Sequence, residues 1–532
     1  MSIHDTVDTA FDLSYLGKVE FPKTDYSSVC ILGGGTAGFL TALGLKKSHP
    51  ELSIKVVASS KVPVIGVGES TTTEIIPFLH SFLGFDPVEF FKEVQPTLKL
   101  GIEFDWGQKG KDPFQFNFFA GHLYENFYYN QHTGSFNWPS DLMKENKIPV
   151  INTEDSGIHS FLNSIPFAYH IDNKSLITYL QKKVIKEGIE IIDEKVTSIS
   201  RGDNGVVTAF VCDSGSKLES DFFIDCSGFT SFLLGKELGE EFVSFESTLL
   251  CDGALTFCRP NFSEPSPYTG AITMESGWCW KIPMRDEDHF GYVHASSFAT
   301  IDDLKKEIHE RFGEVTRFKY IPFKSGRHKR CLIENVFALG NSYAFIEPLE
   351  STAIQTLIQS LMILCRQFPK DARDNISRES INAEVAENWD SFRAFLAIHY
   401  KFNHASDSKF WKFARENVEL GRAKKILDLY KKRAPLSYSH FGSDSLFVAL
   451  PDLVFNNYSY DSLLMGQGVG PEFLPKPSFS KQELEDRLKS YEELSQIALT
   501  QKELFSEQER FIEMVLAPLF DTDDSWILET SV

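Results

Sequence analysis

Three groups of residues in this chain have the types and spacing to do chemistry: a glycine-rich turn, a lysine inside an apolar alternation, and a glutamate in a proline-containing turn. The first, Gly33-Gly34-Gly35-Thr36-Ala37-Gly38, follows the apolar run Ser28 to Leu32 and precedes Phe39 to Lys47, which has helical composition. In a Gly-x-Gly-x-x-Gly spacing the first glycine permits a tight turn, the second lets backbone approach a pyrophosphate, and the third brings helix against strand. Free N–H groups at the helix start then meet the phosphate charge. Gly33, Gly35, Thr36, Ala37 and Gly38 are thus candidate dinucleotide ligands, although the same spacing also suits a tight turn that holds nothing. The following β-rich stretch, Leu52 to Val57, leads into Ala58, Ser59 and Ser60, where an Asp or Glu would bind the adenosine ribose. Ser59 is left as the candidate for that contact, and a hydroxyl binds less strongly than a carboxylate.

Lys99 lies in Thr97-Leu98-Lys99-Leu100-Gly101-Ile102-Glu103-Phe104. On one strand, Leu98, Leu100, Ile102 and Phe104 would share a face and leave Lys99, Gly101 and Glu103 on the other. Spacing alone makes such a lysine a solvated surface residue. Glu350 stands in the turn Glu347-Pro348-Leu349-Glu350-Ser351, directly before an apolar helical stretch beginning near Thr352, so Glu350 or Ser351 is also placed to cap that helix. The backbone N–H groups of Thr352 and Ala353, at the helix start, suit an anion. Trp278 and Trp280 lie two residues apart, so on a strand both rings point the same way, as they would in any sheet core.

The elements that must position these groups read as α/β. Strand–helix–strand opens the chain after an N-terminal extension, residues 1–24. Lys174 to Lys186 has helical spacing among strand-like segments, Ile189 to Ile192, Val206 to Cys212 and Asp221 to Cys226. From Ala353 onward long helical stretches take over: Ile354 to Phe368, Ser377 to Tyr400 and Lys481 to Leu516. The expected organisation is a cofactor domain with insertions over 25–360 and a mainly helical region over 361–532. The 532 residues, 42% hydrophobic and 24% charged, can bury a large core. A net charge of −21 without a Lys/Arg block speaks against nucleic-acid and anionic-membrane binding. Eight scattered cysteines with no C-x-x-C pair suggest neither a disulfide framework nor a metal site. Without a targeting segment or eighteen uninterrupted apolar residues, the expectation is a cytoplasmic protein.

Further motifs join these: Ile65-Gly66-Val67-Gly68-Glu69-Ser70-Thr71, Phe223-Ile224-Asp225-Cys226-Ser227-Gly228, Gly277-Trp278-Cys279-Trp280-Lys281-Ile282-Pro283 and Pro348-Leu349-Glu350-Ser351-Thr352. In this order and at these separations, from about Ser27 to about Phe410, the chain resembles the flavin-dependent halogenases of the tryptophan-halogenase family, most specifically in the G-W-x-W-x-I-P signature. The resemblance implies a Rossmann-like FAD-binding domain of flavin monooxygenase type with an inserted β-sheet, and a helical C-terminal substrate region. It implies FAD, supplied as FADH2 by a separate NAD(P)H-dependent flavin reductase, with O2 and a halide (chloride, bromide or iodide) as the other reactants. The single Gly-x-Gly-x-x-Gly agrees with an external reductase. Gly68, Glu69, Gly228, Gly340 and Pro348 join the cofactor candidates. Lys99 becomes the residue through which the halogen is transferred, as an ammonium bonded to hypohalous acid or as an amine converted to a haloamine, Glu350 its acidic partner and acceptor of the ring proton, and Thr352 and Ala353 the halide site. Trp278 and Trp280 become the screen that keeps organic substrate from the flavin.

Two departures from the family pattern bear on specificity. Ala353 stands where the family has glycine, adding a methyl group beside the presumed anion, which favours a halide that dehydrates easily, bromide or iodide. Family members acting on free tryptophan hold the indole with a His and aromatic residues. Here the matching positions are Phe116 and Phe118, and the C-terminal segment Phe455-Asn456-Asn457-Tyr458-Ser459-Tyr460-Asp461 has no tryptophan. A small electron-rich aromatic or heteroaromatic substrate other than free tryptophan is expected. Two other classes share the cofactor signals: a flavin monooxygenase that hydroxylates, opposed by Lys99 and the Trp pair, and a non-catalytic FAD-binding protein, opposed by Lys99 and Glu350.

Overall fold

The computed structural model describes residues 20–506 except 63–67, 120, 122, 133, 154–156, 163, 204, 262, 434–435, 438–453, 473, 475 and 478. Most of the expected N-terminal extension, Ile65-Gly66-Val67, and the end of the last expected helical stretch lie outside the described residues.

The opening pattern folds as strand Ser28–Leu32, helix Thr36–Ser48 and strand Ser53–Val57. The two strands pair in parallel, as a crossover helix requires. They sit in a six-stranded sheet in the spatial order Glu190–Ile192, Ser53–Val57, Ser28–Leu32, Phe222–Asp225, Val336–Ala338, Leu332–Ile333. All its pairings are parallel but the last, which is a hairpin. A second sheet of seven strands includes Gly101–Asp105, Phe114–Asn117, Tyr268–Met274, Gly277–Pro283 and Glu287–His294. In a small third sheet Gly68–Ser70 and Thr97–Lys99 flank Ala168–Asp172. Helices Ala353–Arg366 and Asn375–Phe402 follow, and one buried apolar cluster runs from Val29 through Phe104, Trp278 and Phe395 to Leu504.

Two sequence expectations are corrected. Leu98 to Phe104 is not one strand: Thr97–Lys99 pairs with Ala168–Asp172, whereas Gly101–Asp105 pairs with Tyr268–Met274 and Phe114–Asn117. The chain changes sheets at Leu100, whose N–H donates to Pro267, and Gly101 follows where a Cβ would stand 2.4 Å from the Phe116 carbonyl oxygen. The face that read as exposed is therefore covered, with Lys99 0% exposed and Glu103 half-buried.

The stretch from Lys481 is likewise broken. Helix Lys481–Ile497 gives way to Ala498–Thr500, which pairs with Lys147–Thr153. A new helix, Gln501–Ser506, restarts where Thr500 Oγ1 accepts the Glu503 N–H and the Glu503 carboxylate accepts the Thr500 N–H. That reciprocal pair is a start signal sitting inside apparently continuous helical spacing.

Candidate active site

The glycine turn meets the steric demands of its spacing. Gly33 has φ +127°, and a Cβ there would lie 2.3 Å from the Cys226 carbonyl oxygen; a Cβ on Gly38 would lie 1.8 Å from the Gly33 carbonyl oxygen. Gly35, at φ −95°, has an extended backbone that any residue adopts, and among the described residues no side chain caps the helix it heads. The uncapped N–H groups and the absence of acidic residues in that turn fit a dinucleotide pyrophosphate. Thr36 hydroxyl donates to Asn173 at 2.6 Å, and Asn173 in turn donates to Glu69 at 3.4 Å. Burial pushes the Glu69 carboxyl up to about 7. Gly340, at φ +59°, faces Ala37, a Cβ on it being 3.6 Å from that of Ala37, and Gly228 donates its N–H to Ser342 at 3.0 Å. Gly33, Gly35, Thr36, Ala37, Gly38, Glu69, Gly228 and Gly340 thus border one region, with chemistry suited to FAD. Ser59 stands half-exposed just past strand Ser53–Val57, its hydroxyl accepting the Lys61 N–H at 3.3 Å.

From the neighbouring small sheet, Lys99 donates to the Thr71 carbonyl oxygen at 2.9 Å, and its ammonium lies 5.3 Å from the ring centroid of Phe118. Burial lowers its amine to about 7, opposed first by the charge of Glu350 and then by Glu74. Glu74 is itself held by Gln355, in the first turn of helix Ala353–Arg366, which donates to it at 2.8 Å. The strand carrying Gly68 and Glu69 and the strand carrying Lys99 share one partner, so the cofactor region and the lysine are fixed by the same five residues, Ala168–Asp172.

Pro348 opens a single 3-10 turn, Pro348–Glu350, followed by Ser351 at φ +60°. Glu350 is 3% exposed and does not cap the helix; Thr352 occupies the cap position with no side-chain bond to the first turn. The hydroxyls of Ser351 and Thr352 are buried without hydrogen-bond partners. An uncapped helix start with two idle hydroxyl donors can hold an anion. Ala353 is exposed.

Sequence reasoning missed three residues that organise this turn. His399 Nε2 lies 2.6 Å from Glu350 Oε1. Trp278 donates its indole N–H to Glu347 at 2.9 Å, and Tyr400 donates its hydroxyl to the same carboxylate. Two carboxylates three residues apart are thereby docked on consecutive residues of helix Asn375–Phe402. A histidine in the apolar run Phe395-Leu396-Ala397-Ile398-His399-Tyr400 was the available signal. Trp278 and Trp280 do share a face of strand Gly277–Pro283: both join the main core, while Cys279 faces another cluster. Trp280 lies across Gly291, where a Cβ would stand 2.2 Å from the indole.

Phe116 belongs to an aromatic wall, while Phe118 faces the Lys99 ammonium. Phe116 packs against Phe104 at 6.2 Å and Phe395 at 6.4 Å between ring centroids, and Phe455 stacks on Phe395 at 3.8 Å. Helix Asn457–Gly466 adds Tyr460, whose ring meets Phe395 edge-on at 4.9 Å. Elsewhere, Cys258, Glu287 and His289 approach within metal-binding range. His289 Nδ1 accepts the Gly68 N–H at 2.9 Å, which puts the ring proton on Nε2 and offers no lone pair to a cation.

The tryptophan halogenase family model matches residues 28–511. The chain is 29% identical over 494 residues to tryptophan 6-halogenase ThaL of Streptomyces albogriseolus, covering 84% of this chain and 90% of that protein. To tryptophan 7-halogenase RebH of Lentzea aerocolonigenes it is 27% identical over 481 residues, covering 84% and 91%. Among solved structures it is similar to MibH, a lanthipeptide tryptophan 5-halogenase, at TM-score 0.87 and 36% identity, with 95% of this chain and 98% of that one covered.

Proposed function

Since the chain belongs to the tryptophan halogenase family, and is accordingly a flavin-dependent halogenase that acts on aromatic substrates, we propose how its residues divide the work and which reactants it prefers. The observation that carries the reading is the full burial of Lys99, facing the charge of Glu350, on a strand that shares its partner Ala168–Asp172 with the strand of Glu69, the glutamate of the cofactor region. Bound FADH2, delivered by a separate flavin reductase, supplies with O2 the oxidising power that converts halide to hypohalous acid. Gly33, Gly35, Thr36, Ala37, Gly38, Gly68, Glu69, Gly228, Gly340 and Pro348 hold it, with Ser59 on the ribose side.

The N–H groups of Thr352 and Ala353 hold the halide. Trp278 and Trp280 close the cofactor side to organic substrate, so that hypohalous acid alone passes to Lys99. The Lys99 ammonium donates a proton to the hypohalous oxygen as the halogen bonds to a ring carbon and water leaves. Glu350 takes the proton displaced from that carbon, and its return to Lys99 restores both groups. Phe116 and Phe118 flank the ring.

The substrate we propose is an electron-rich aromatic or heteroaromatic ring other than free tryptophan, because Phe116 offers no polar contact where relatives use histidine. The similarity to a lanthipeptide halogenase supports an indole carried on a peptide. Bromide or iodide is preferred over chloride, given the Ala353 methyl. No helix among the described residues is long and apolar enough to cross a membrane, and we propose a cytoplasmic site of action.

The test is incubation with FAD, a flavin reductase, NADH and mixed chloride, bromide and iodide. The panel comprises free tryptophan, phenols, indoles and a tryptophan-containing peptide, read by mass spectrometry. The reading expects hydrogen replaced by bromine or iodine, with free tryptophan among the poorest substrates. Preferred turnover of free tryptophan would overturn the substrate assignment.

A further inference from the structure

His399 is buried in helix Asn375–Phe402, 0% exposed, and among the described residues each of its two ring nitrogens has one hydrogen-bond partner. Nδ1 lies 3.1 Å from the carbonyl oxygen of Phe395, and Nε2 lies 2.6 Å from Glu350 Oε1. A carbonyl oxygen only accepts, so Nδ1 carries a hydrogen. The short contact at Nε2 then needs a proton of its own, because a bare ring nitrogen facing a bare carboxylate would repel it. One proton therefore bridges His399 and Glu350, as imidazolium with carboxylate or as imidazole with carboxylic acid.

Against the His399 ring pack Phe104 at 5.3 Å, Trp106 at 5.9 Å and Phe395 at 5.3 Å between centroids, none of them charged. The charge of Glu350 acts on the Lys99 ammonium, which Glu74 also faces. Glu347, on the same turn, is engaged by Trp278 and Tyr400. Glu350 is thus held through one oxygen by His399 while it faces Lys99.

We propose that His399 is the positioning residue of the halogenation step: its Nε2–H fixes one carboxylate oxygen of Glu350, leaving the other oxygen to receive the ring proton. The inference rests on the reading of Glu350 as that acceptor. Tyr400 and His399 are neighbours, so one stretch of helix sets both the screening tryptophan and the base.

The test compares carbon halogenation and flavin oxidation for wild type, Glu350→Gln, His399→Gln, His399→Phe, His399→Leu and the double variant His399→Phe/Glu350→Gln. Removing a hydrogen bond to a carboxyl group should slow halogenation roughly 10- to 100-fold in His399→Phe, with flavin oxidation unchanged. His399→Gln, whose amide can still donate to Glu350, should recover most of that rate. In the Glu350→Gln background His399→Phe should cost nothing more. Wild-type halogenation by His399→Phe, or an equal loss in both backgrounds, would overturn the assignment. Should His399→Phe not fold, wild-type halogenation by His399→Leu would do the same. Wild-type halogenation by Glu350→Gln alone would instead remove the underlying reading of Glu350.

Discussion

The indole N–H of Trp278 and the hydroxyl of Tyr400 converge on one carboxylate oxygen of Glu347, Oε2, with all three side chains buried. A strand, a turn and a helix are tied at that atom. Glu347→Leu strands two buried donors, which should lower the unfolding free energy by about 2–6 kcal/mol, at 1–3 kcal/mol each. Glu347→Gln keeps an acceptor and should separate from wild type only through pH. Burial pushes the Glu347 carboxyl up to about 7. The folded state therefore retains this proton longer than the unfolded state, and the group's contribution is full below the ordinary carboxyl range and lost as pH rises through about 7. Urea unfolding from pH 4 to 8 should show wild type losing ground to Glu347→Gln; parallel curves would refute the shift.

Activity should carry a signature of Lys99 in the same direction. Burial lowers its amine to about 7, so the ammonium that donates to hypohalous acid is lost above that pH. Single-turnover halogenation at saturating reduced flavin should fall as pH rises through about 7, with flavin oxidation measured alongside as the control. A rate that climbs over the same range would favour a neutral amine forming a haloamine.

Halide choice is tested at Ala353. A helix start attracts any monovalent anion, so discrimination comes from fit and dehydration. In competition at equal concentration Ala353→Gly should move the bromide-to-chloride product ratio toward chloride. An unaltered ratio in a folded, FAD-binding Ala353→Gly protein would exclude this residue as the determinant.

The two inner glycines of the turn should fail differently. Gly35, at φ −95°, accepts any side chain without backbone strain, so Gly35→Val should fold yet lose FAD affinity. A Cβ at Gly38 would meet the Gly33 carbonyl oxygen at 1.8 Å, so Gly38→Ala should also lower the thermal midpoint. Fluorescence titration with FAD beside thermal unfolding separates the two; undiminished FAD binding by Gly35→Val would make the turn structural only.

Local chemistry was legible in the sequence where it is written in adjacent residues. The glycine turn, the parallel strand pair around helix Thr36–Ser48 and the shared face of Trp278 and Trp280 all follow from spacing of two to five residues. What escaped depends on distant partners. Lys99 looks solvent-facing until Ala168–Asp172 covers its strand, and the change of sheet at Leu100 is decided by Pro267 and Phe116. Glu350 looks like a helix cap until His399, 49 residues on, takes its carboxylate. The break at Ala498 is set by pairing with Ile151, which no local periodicity contains.

The central claim is that Lys99 acts after the flavin has reacted, by activating hypohalous acid for transfer of its halogen to carbon. Lys99→Ala should bind FAD and oxidise FADH2 with O2 at close to wild-type rates while carbon halogenation, measured by mass spectrometry with free hypohalous acid scavenged, disappears. Halogenation by Lys99→Ala at the wild-type rate under those conditions would contradict the account.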